Sequence, residues 1–221
     1  MGLDEALLAD TGARPTLRFY SWSPDTLSLG YFQRWLDVPA TEHAGAVVRR
    51  ITGGGAIHHV NELTFSIIVA QDHPLYRGPV ADSYERIHQR LAAVLGSLGV
   101  PAELRGERCP IGSDRKGTGM CFHESTFMDL VWANAKGVGS AQRRREGRVL
   151  HHGSIKLGTS DLEPGIATLG SAGLDISPAE LADEISRALG AWEDDEPARA
   201  ELDRALELGA RYVDPSFLRR R

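Results

Sequence analysis

Between residues 16 and 157 only one long stretch carries apolar residues at helical spacing. Tyr84, Ile87, Leu91, Val94, Leu95 and Leu98 recur every three or four positions from about Asp82 to Leu98, and Gly99 stands where a helix would end. Around it the pattern is that of strands. Thr16 to Tyr20 and Thr26 to Tyr31 flank the turn signal Ser23-Pro24-Asp25, and Ala46 to Arg50 and Leu63 to Val69 follow. Beyond a Gly-rich, charged stretch from Arg105 to Gly119, which reads as a mobile loop, Phe127 to Trp132, Gly137 to Gln142 and Val149 to Leu157 alternate again. With strands so rarely separated by helices, a parallel sheet with crossover helices is excluded. The fold class is α/β of the α+β kind, with mostly antiparallel, mixed sheets packed against helices. The tail reads as helical. Ser177-Pro178-Ala179-Glu180 is a capping box with proline at the first helical position, and a second acidic helix runs from Glu196 to about Gly209.

The 221 residues suffice for one domain with a real core, and the whole chain, 1–221, is read as a single catalytic domain. A net charge of −5 gives no global field for nucleic acid. No apolar run approaches the roughly 20 residues of a membrane span, and the opening lacks a signal peptide's basic start. A reducing cytoplasm is therefore the expected location, with Cys109 and Cys121 as free thiols.

Four segments could carry chemistry. Arg49-Arg50-Ile51-Thr52-Gly53-Gly54-Gly55 places three glycines between strands, which permits close approach of a ligand to the backbone, and the two arginines could hold an anion. The bland alternative is a hairpin turn with solvated arginines. Cys121 lies between a loop and a strand. A nucleophilic thiol needs a nearby cation, for which His123 and Lys136 are candidates; otherwise Cys121 is a small core residue. Lys136 enters the small-residue run Gly137 to Ala141, where its ammonium could sit over a carbonyl oxygen, or it is a hairpin lysine. His151 and His152 are adjacent on a strand and point to opposite faces. No tight ligand spacing supports a metal, and none is assigned.

In this order the segments resemble the lipoate/octanoate transferase superfamily, which also contains the biotin protein ligases. Met1 to Leu8 resembles its opening helix, Leu17 to Trp22 and Leu27 to Gln33 its first strands, and Arg49 to Ser66 its glycine-loop segment. Cys121-Phe122 and Lys136-x-x-Gly139-Ser140-Ala141-Gln142 are similar to the cysteine-dependent octanoyltransferases of the LipM kind. The resemblance implies Cys121 as acyl-accepting nucleophile and Lys136 as the group contacting the acyl carbonyl. It implies an acyl pocket from Arg49, Arg50, Thr52, Gly53, Gly54, Gly55, His59, Gly139, Ser140, Ala141, His152 and Gly153. The donor would be octanoyl on an acyl carrier protein, and the acceptor a lysine of a lipoyl domain or of the glycine-cleavage H protein. No cofactor is implied beyond the thioester, nor any nucleic acid or membrane partner, and the chain is expected to be monomeric.

The sequence departs from the family at three points. Val60 follows His59 where the family has Asp, Glu124 stands where it has Pro, and the strand that usually precedes the first helix is missing, as from a misassigned start or a truncation. Two other readings stay open. One is an ATP-dependent lipoate ligase, with Arg49, Arg50 and the glycine loop on phosphate. The other is a non-catalytic acyl-binding homologue. Acceptor recognition should use positive surface, for which Arg143-Arg144-Arg145 is the candidate; its bland alternative is a solvated hairpin tip.

Overall fold

The computed structural model describes residues 1–107, 110–190 and 192–220. Among the described residues nine strands form two sheets. Strands β1 (Thr16–Tyr20), β5 (Glu62–Ala70), β6 (Glu103–Leu104), β7 (Leu130–Trp132), β8 (Ala135–Arg145) and β9 (Arg148–Lys156) make the larger, in the order β1-β5-β9-β8-β7-β6. Every neighbouring pair in it is antiparallel. Strands β2 (Thr26–Leu29), β3 (Ala46–Arg49) and β4 (Ile57–His59) form the smaller, with β2 central, parallel to β3 and antiparallel to β4.

Side-chain alternation along the central strands assigns the two faces of the larger sheet. Ile67 and Val149 join one core with Ile87, Leu91, Val94 and Leu95 of α2 (Val80–Ser97) and Leu181, Ile185 and Leu189 of α3 (Pro178–Leu189). Their neighbours Ile68 and Leu150 join a second core with Leu7 and Leu8 of α1 (Gly2–Ala9) and with Tyr212. Helix α4 (Arg199–Gly209) packs on α1, and the short α5 (Pro215–Leu218) lies near the end of the chain. A third cluster of Leu27, Leu29, Val38, Ala56 and Met120 fastens the smaller sheet to the segment before Cys121.

Local chemistry explains the boundaries. Helix α2 ends with Gly99 at φ +89°, where Gly99 N–H donates to Gly96 O at 3.0 Å and Val100 N–H to Leu95 O at 2.9 Å, a Schellman motif. Ala133 and Asn134 both have positive φ, so β7 and β8 close through a two-residue turn whose twist suits a hairpin. Strand β7 begins at Leu130, three residues later than the alternation suggests, because Asp129 caps a turn instead, accepting from Thr126 N–H at 2.6 Å. The stretch before Cys121, expected to be loose, is tied down at several points: Asp114 accepts from Ile111 and Ser125 N–H at 3.0 and 2.9 Å. Among the described residues no helix is long and apolar enough to cross a membrane.

The Ser177–Glu180 capping box is formed in both directions, as the sequence predicts. Ser177→Ala is expected to lower stability by about 1 kcal/mol, measured by urea unfolding, without altering chemistry at Cys121.

Candidate active site

Cys121 opens a single 3-10 turn, Cys121–His123. Its two neighbours anchor it, since Met120 is 1% and Phe122 0% exposed. The backbone on its other side is the glycine loop: Cys121 N–H donates to Ala56 O at 2.7 Å and Ala56 N–H to Gly119 O at 2.8 Å. Gly55 makes this approach possible, because a Cβ there would fall 2.7 Å from Cys121 N and 2.9 Å from its Cα. The turn therefore holds the thiol half-buried at the edge of a cleft.

The Lys136 ammonium stands over this turn. Its Nζ donates to Cys121 Sγ at 3.3 Å and to Cys121 O at 2.9 Å, and pairs with Asp129 Oδ2 at 2.9 Å. Lys136 and Asp129 are both buried, at 1% and 5% exposed. Burial alone would discharge the lysine, but the Asp129 carboxylate and the Cys121 sulfur outweigh it and raise its proton affinity above the ordinary value. Gly139 leaves space for the pair, since its Cβ would lie 2.8 Å from Lys136 Cε and 3.6 Å from Cys121 Sγ. His123, the other sequence candidate for the cation, is turned elsewhere, toward Thr118 Oγ1 and Pro164 O at 3.2 Å each.

The cleft is narrow, with a cavity volume of about 40 Å³. Trp22, Ile57, Tyr20 and Ala141 contribute apolar surface. Most of its polar wall groups are paired with one another, and the exception is the buried Arg50 Nε, which has no partner among the described residues. Glu62 is an acceptor only, so His59 carries its proton on Nδ1, 2.6 Å from Glu62 Oε1, and Nε2 faces Ser28 Oγ at 2.7 Å. Trp22 stacks on His59 at 4.2 Å and donates to Thr64 Oγ1 at 2.9 Å. Behind them the Lys156 ammonium lies 2.9 Å from Glu62 and 2.8 Å from Glu163. Burial pushes the Glu62 carboxyl up, but Lys156 and His59 prevail and hold it well below the carboxylate range. His152 faces Thr52 Oγ1 at 2.6 Å, and burial drops it to about 3, so it is neutral. Walls satisfied in this way offer little to a polar ligand and suit an apolar chain.

Of the residues singled out from sequence, Cys121, Arg50, Gly53, Gly54, His59, Ser140, Ala141, His152 and Gly153 line the cleft, and Lys136, Thr52, Gly55 and Gly139 stand directly behind it. Arg49 is the exception. It is wholly buried, and its guanidinium donates to Gly30, Gln33 and Leu218 carbonyls at 2.6–2.9 Å. Arg50 also differs from the anion-holding role expected of it. It clasps Ser28 O at 2.8 Å and Gly53 and Gly55 O at 2.7 Å each, and burial lowers it to about 10. Arg50 shapes the glycine loop because unpaired carbonyls in a tight buried turn need donors, and Arg49 does the same for the segment after β2 and the end of the chain. His151 and His152 face opposite ways, the former toward Ser140 Oγ and Tyr76 OH at 2.8 and 3.1 Å. Among the described residues no three His, Cys, Asp or Glu side chains converge as a metal ion would require. Cys109 lies outside the described residues. Sequence reasoning missed Asp129, Glu62, Lys156 and Glu163, and the only trace of Asp129 was an acidic residue just before an apolar strand.

Residues 1–171 match the lipoyl protein ligase A/B catalytic domain family. The chain is 43% identical over 164 residues to the octanoyltransferase LipM of Moorella thermoacetica, and 42% identical over 166 residues to that of Symbiobacterium thermophilum. Each match covers 71% of this chain and 60% of the relative, so the chain spans about three fifths of the curated relatives it matches. Among solved structures, a lipoate-protein ligase A bound with ATP superposes with a TM-score of 0.75 at 22% identity, covering 99% of this chain and 92% of the other. A bi-partite lipoate protein ligase of Thermoplasma acidophilum, studied with its E2 lipoyl domain, also gives 0.75 at 22%, covering 99% and 89%. These likenesses establish the fold.

Three outcomes follow from the geometry. Lys136→Met strands the buried Asp129 carboxylate and should cost about 3–5 kcal/mol; Lys136→Met/Asp129→Asn should regain part of it in urea unfolding. Gly139→Ala displaces only the flexible end of Lys136. Overpacking this buried end should cost about 1–3 kcal/mol in urea unfolding, less than Lys136→Met, while alkylation of Cys121 by iodoacetamide slows by roughly an order of magnitude. The pH dependence has a definite sign. His152 binds its proton near 6.5 when unfolded but only near 3 when folded, so the unfolded state takes up more protons in between. Thermal stability should therefore fall as pH drops from about 6.5 toward 3, and less steeply in His152→Gln.

Proposed function

The chain belongs to the lipoyl protein ligase A/B catalytic domain family, and within that family we propose that it is an octanoyltransferase working through a thioester on Cys121. The donor is octanoyl-acyl carrier protein, and the acceptor a lysine of a lipoyl domain or of the glycine-cleavage H protein. The observation that carries the reading is the Lys136 ammonium 3.3 Å from Cys121 Sγ, at the edge of a cleft whose polar groups are mostly paired. The relatives named octanoyltransferase support the choice of acyl group.

In the first half-reaction the Cys121 thiolate attacks the donor thioester. The new C–S bond forms as the carrier's C–S bond breaks, and the departing thiolate takes a proton from solvent. Thioester replaces thioester, so no further activation and no cofactor is required. In the second, the acceptor's neutral amine attacks octanoyl-Cys121, a C–N bond forms, the amine loses a proton, and the Cys121 thiolate leaves. The amide lies well downhill of the thioester, and the sequence is ping-pong.

Lys136 serves both halves. At rest Nζ directs its hydrogens to Asp129, Cys121 O and Cys121 Sγ. Once sulfur is acylated it loses its charge, and the N–H that faced it lies beside the carbonyl oxygen, where negative charge develops in each attack. The ATP-dependent alternative needs donors for phosphate, and the Arg49 guanidinium is already committed to backbone carbonyls, while Arg50 commits both terminal nitrogens and leaves only Nε. The reading takes 1–221 as one catalytic unit acting as a monomer in the cytoplasm.

Intact-protein mass spectrometry after mixing with octanoyl-acyl carrier protein, without ATP, tests this. One octanoyl group should be gained, lost in Cys121→Ala and kept in Cys109→Ala. Transfer of free octanoate that requires ATP and survives Cys121→Ala would instead identify a ligase.

A further inference from the structure

The chain has a net charge of −5, yet one of its grooves is rich in arginine. Arg143, Arg145, Arg211 and Arg220 line it together with Tyr31 and Phe217. Two of these cations have carboxylate partners: Arg211 with the largely buried Glu5 at 2.7 Å, and Arg145 with Glu146 at 2.8 Å. Among the described residues, Arg143 and Arg220 have no carboxylate within ion-pair distance. They rest on the ring of Tyr31 instead, at 5.4 and 3.6 Å from its centroid.

This surface is joined to the cleft. Tyr31 N–H donates to Thr52 O at 2.8 Å and Arg143 to Ile51 O at 3.2 Å, so both lie against the start of the glycine loop. Phe32 meets Tyr31 edge-on at 5.0 Å and packs over Gly53, which lines the cleft. Phe32 is 62% exposed and Leu36, four residues further along the chain, 81%. A fixed cationic rim beside exposed apolar side chains fits a partner that offers carboxylates around an apolar contact, which is a protein surface. A nucleic-acid backbone would use the arginines but leave the exposed apolar side chains Phe32 and Leu36 unaccounted for.

We propose that this face docks acidic carrier domains, the surface of Phe32, Tyr31, Arg143, Arg145 and Arg220 receiving the body of the carrier while its reactive arm enters the cleft. Resting on the transferase reading, the proposal extends it. The donor must present its thioester carbon to Sγ and the acceptor its amine to the acyl carbon then held on Sγ, so they occupy this face in turn and compete for it.

The test is binding of a fluorescently labelled, unmodified lipoyl domain to the full chain, followed by anisotropy. Wild type should bind, with affinity falling at least about 10-fold between low and physiological salt. Arg145→Glu/Arg220→Glu should weaken binding by about 10-fold or more, the exposed Arg145→Glu alone by a few-fold, and unlabelled acyl carrier protein should displace the probe. Loading of Cys121 from a carrier-free thioester, octanoyl-N-acetylcysteamine, should be unchanged in both variants. No wild-type binding, equal affinity in wild type and variants, or a parallel loss of carrier-free loading would each overturn the proposal. So would displacement of the probe by a single-stranded oligonucleotide at lower concentration than by acyl carrier protein. Intact binding without any loading of Cys121 from either thioester would sink the transferase reading and leave the docking face standing.

Discussion

A buried ammonium between a carboxylate and a thiol organises this molecule. Lys136 is almost entirely removed from water, a position that is costly for a cation unless its charge and hydrogens are matched. Asp129 supplies the charge and the Cys121 turn supplies two acceptors. Much of the surrounding architecture serves this arrangement. The two-residue turn at Ala133 and Asn134 folds β7 back on β8, bringing Asp129 near Lys136 across the sheet. Gly139 leaves room for the lysine's end, and Gly55 lets the glycine loop close on Cys121.

The second constraint is the glycine loop. A turn that compact exposes carbonyls to a dry interior, and Arg50 answers by donating to Ser28, Gly53 and Gly55. Arg49 does the same for the end of β2 and for the C-terminal segment, reaching Leu218. Two arginines in succession thus join three parts of the chain, and the loop becomes one wall of the cleft rather than a cradle for anions. The buried histidines belong to the same logic. His59, His88, His151 and His152 are all held below their ordinary proton affinity by burial, and remain neutral hydrogen-bonding parts of the wall and core.

The large elements were legible because periodicity reports burial directly: α2, α3, β1, β5 and β9 fall within a residue or two of the positions that alternation and helical spacing indicate. Direction and partnership were not. Nothing in Thr26 to Leu29 and Ala46 to Arg49 distinguishes a parallel pair from an antiparallel one. Ile57 to His59 is too short to carry a period. Cys121 and Lys136 stood out by residue type and by their order among small residues, but Asp129 reads as an ordinary turn former until the hairpin brings it to the ammonium. Arg49 misled because charge beside glycine suggests a ligand, whereas the structure uses it to satisfy backbone carbonyls. Glu62, Lys156 and Glu163 are far apart in sequence and meet only in the folded sheet, so no local pattern could reveal them.

The measurement that tests the central claim most directly is a chase with isolated acyl-enzyme. The chain, loaded with octanoyl on Cys121 and freed of donor, is mixed with unmodified lipoyl domain without ATP, and the acyl group is followed by mass. The account requires one octanoyl group to leave the enzyme and appear as an amide on the acceptor lysine, faster than the thioester hydrolyses and much more slowly in Lys136→Met. An octanoyl group that stays on Cys121, or that is lost only to water while the lipoyl domain remains unmodified, would contradict it.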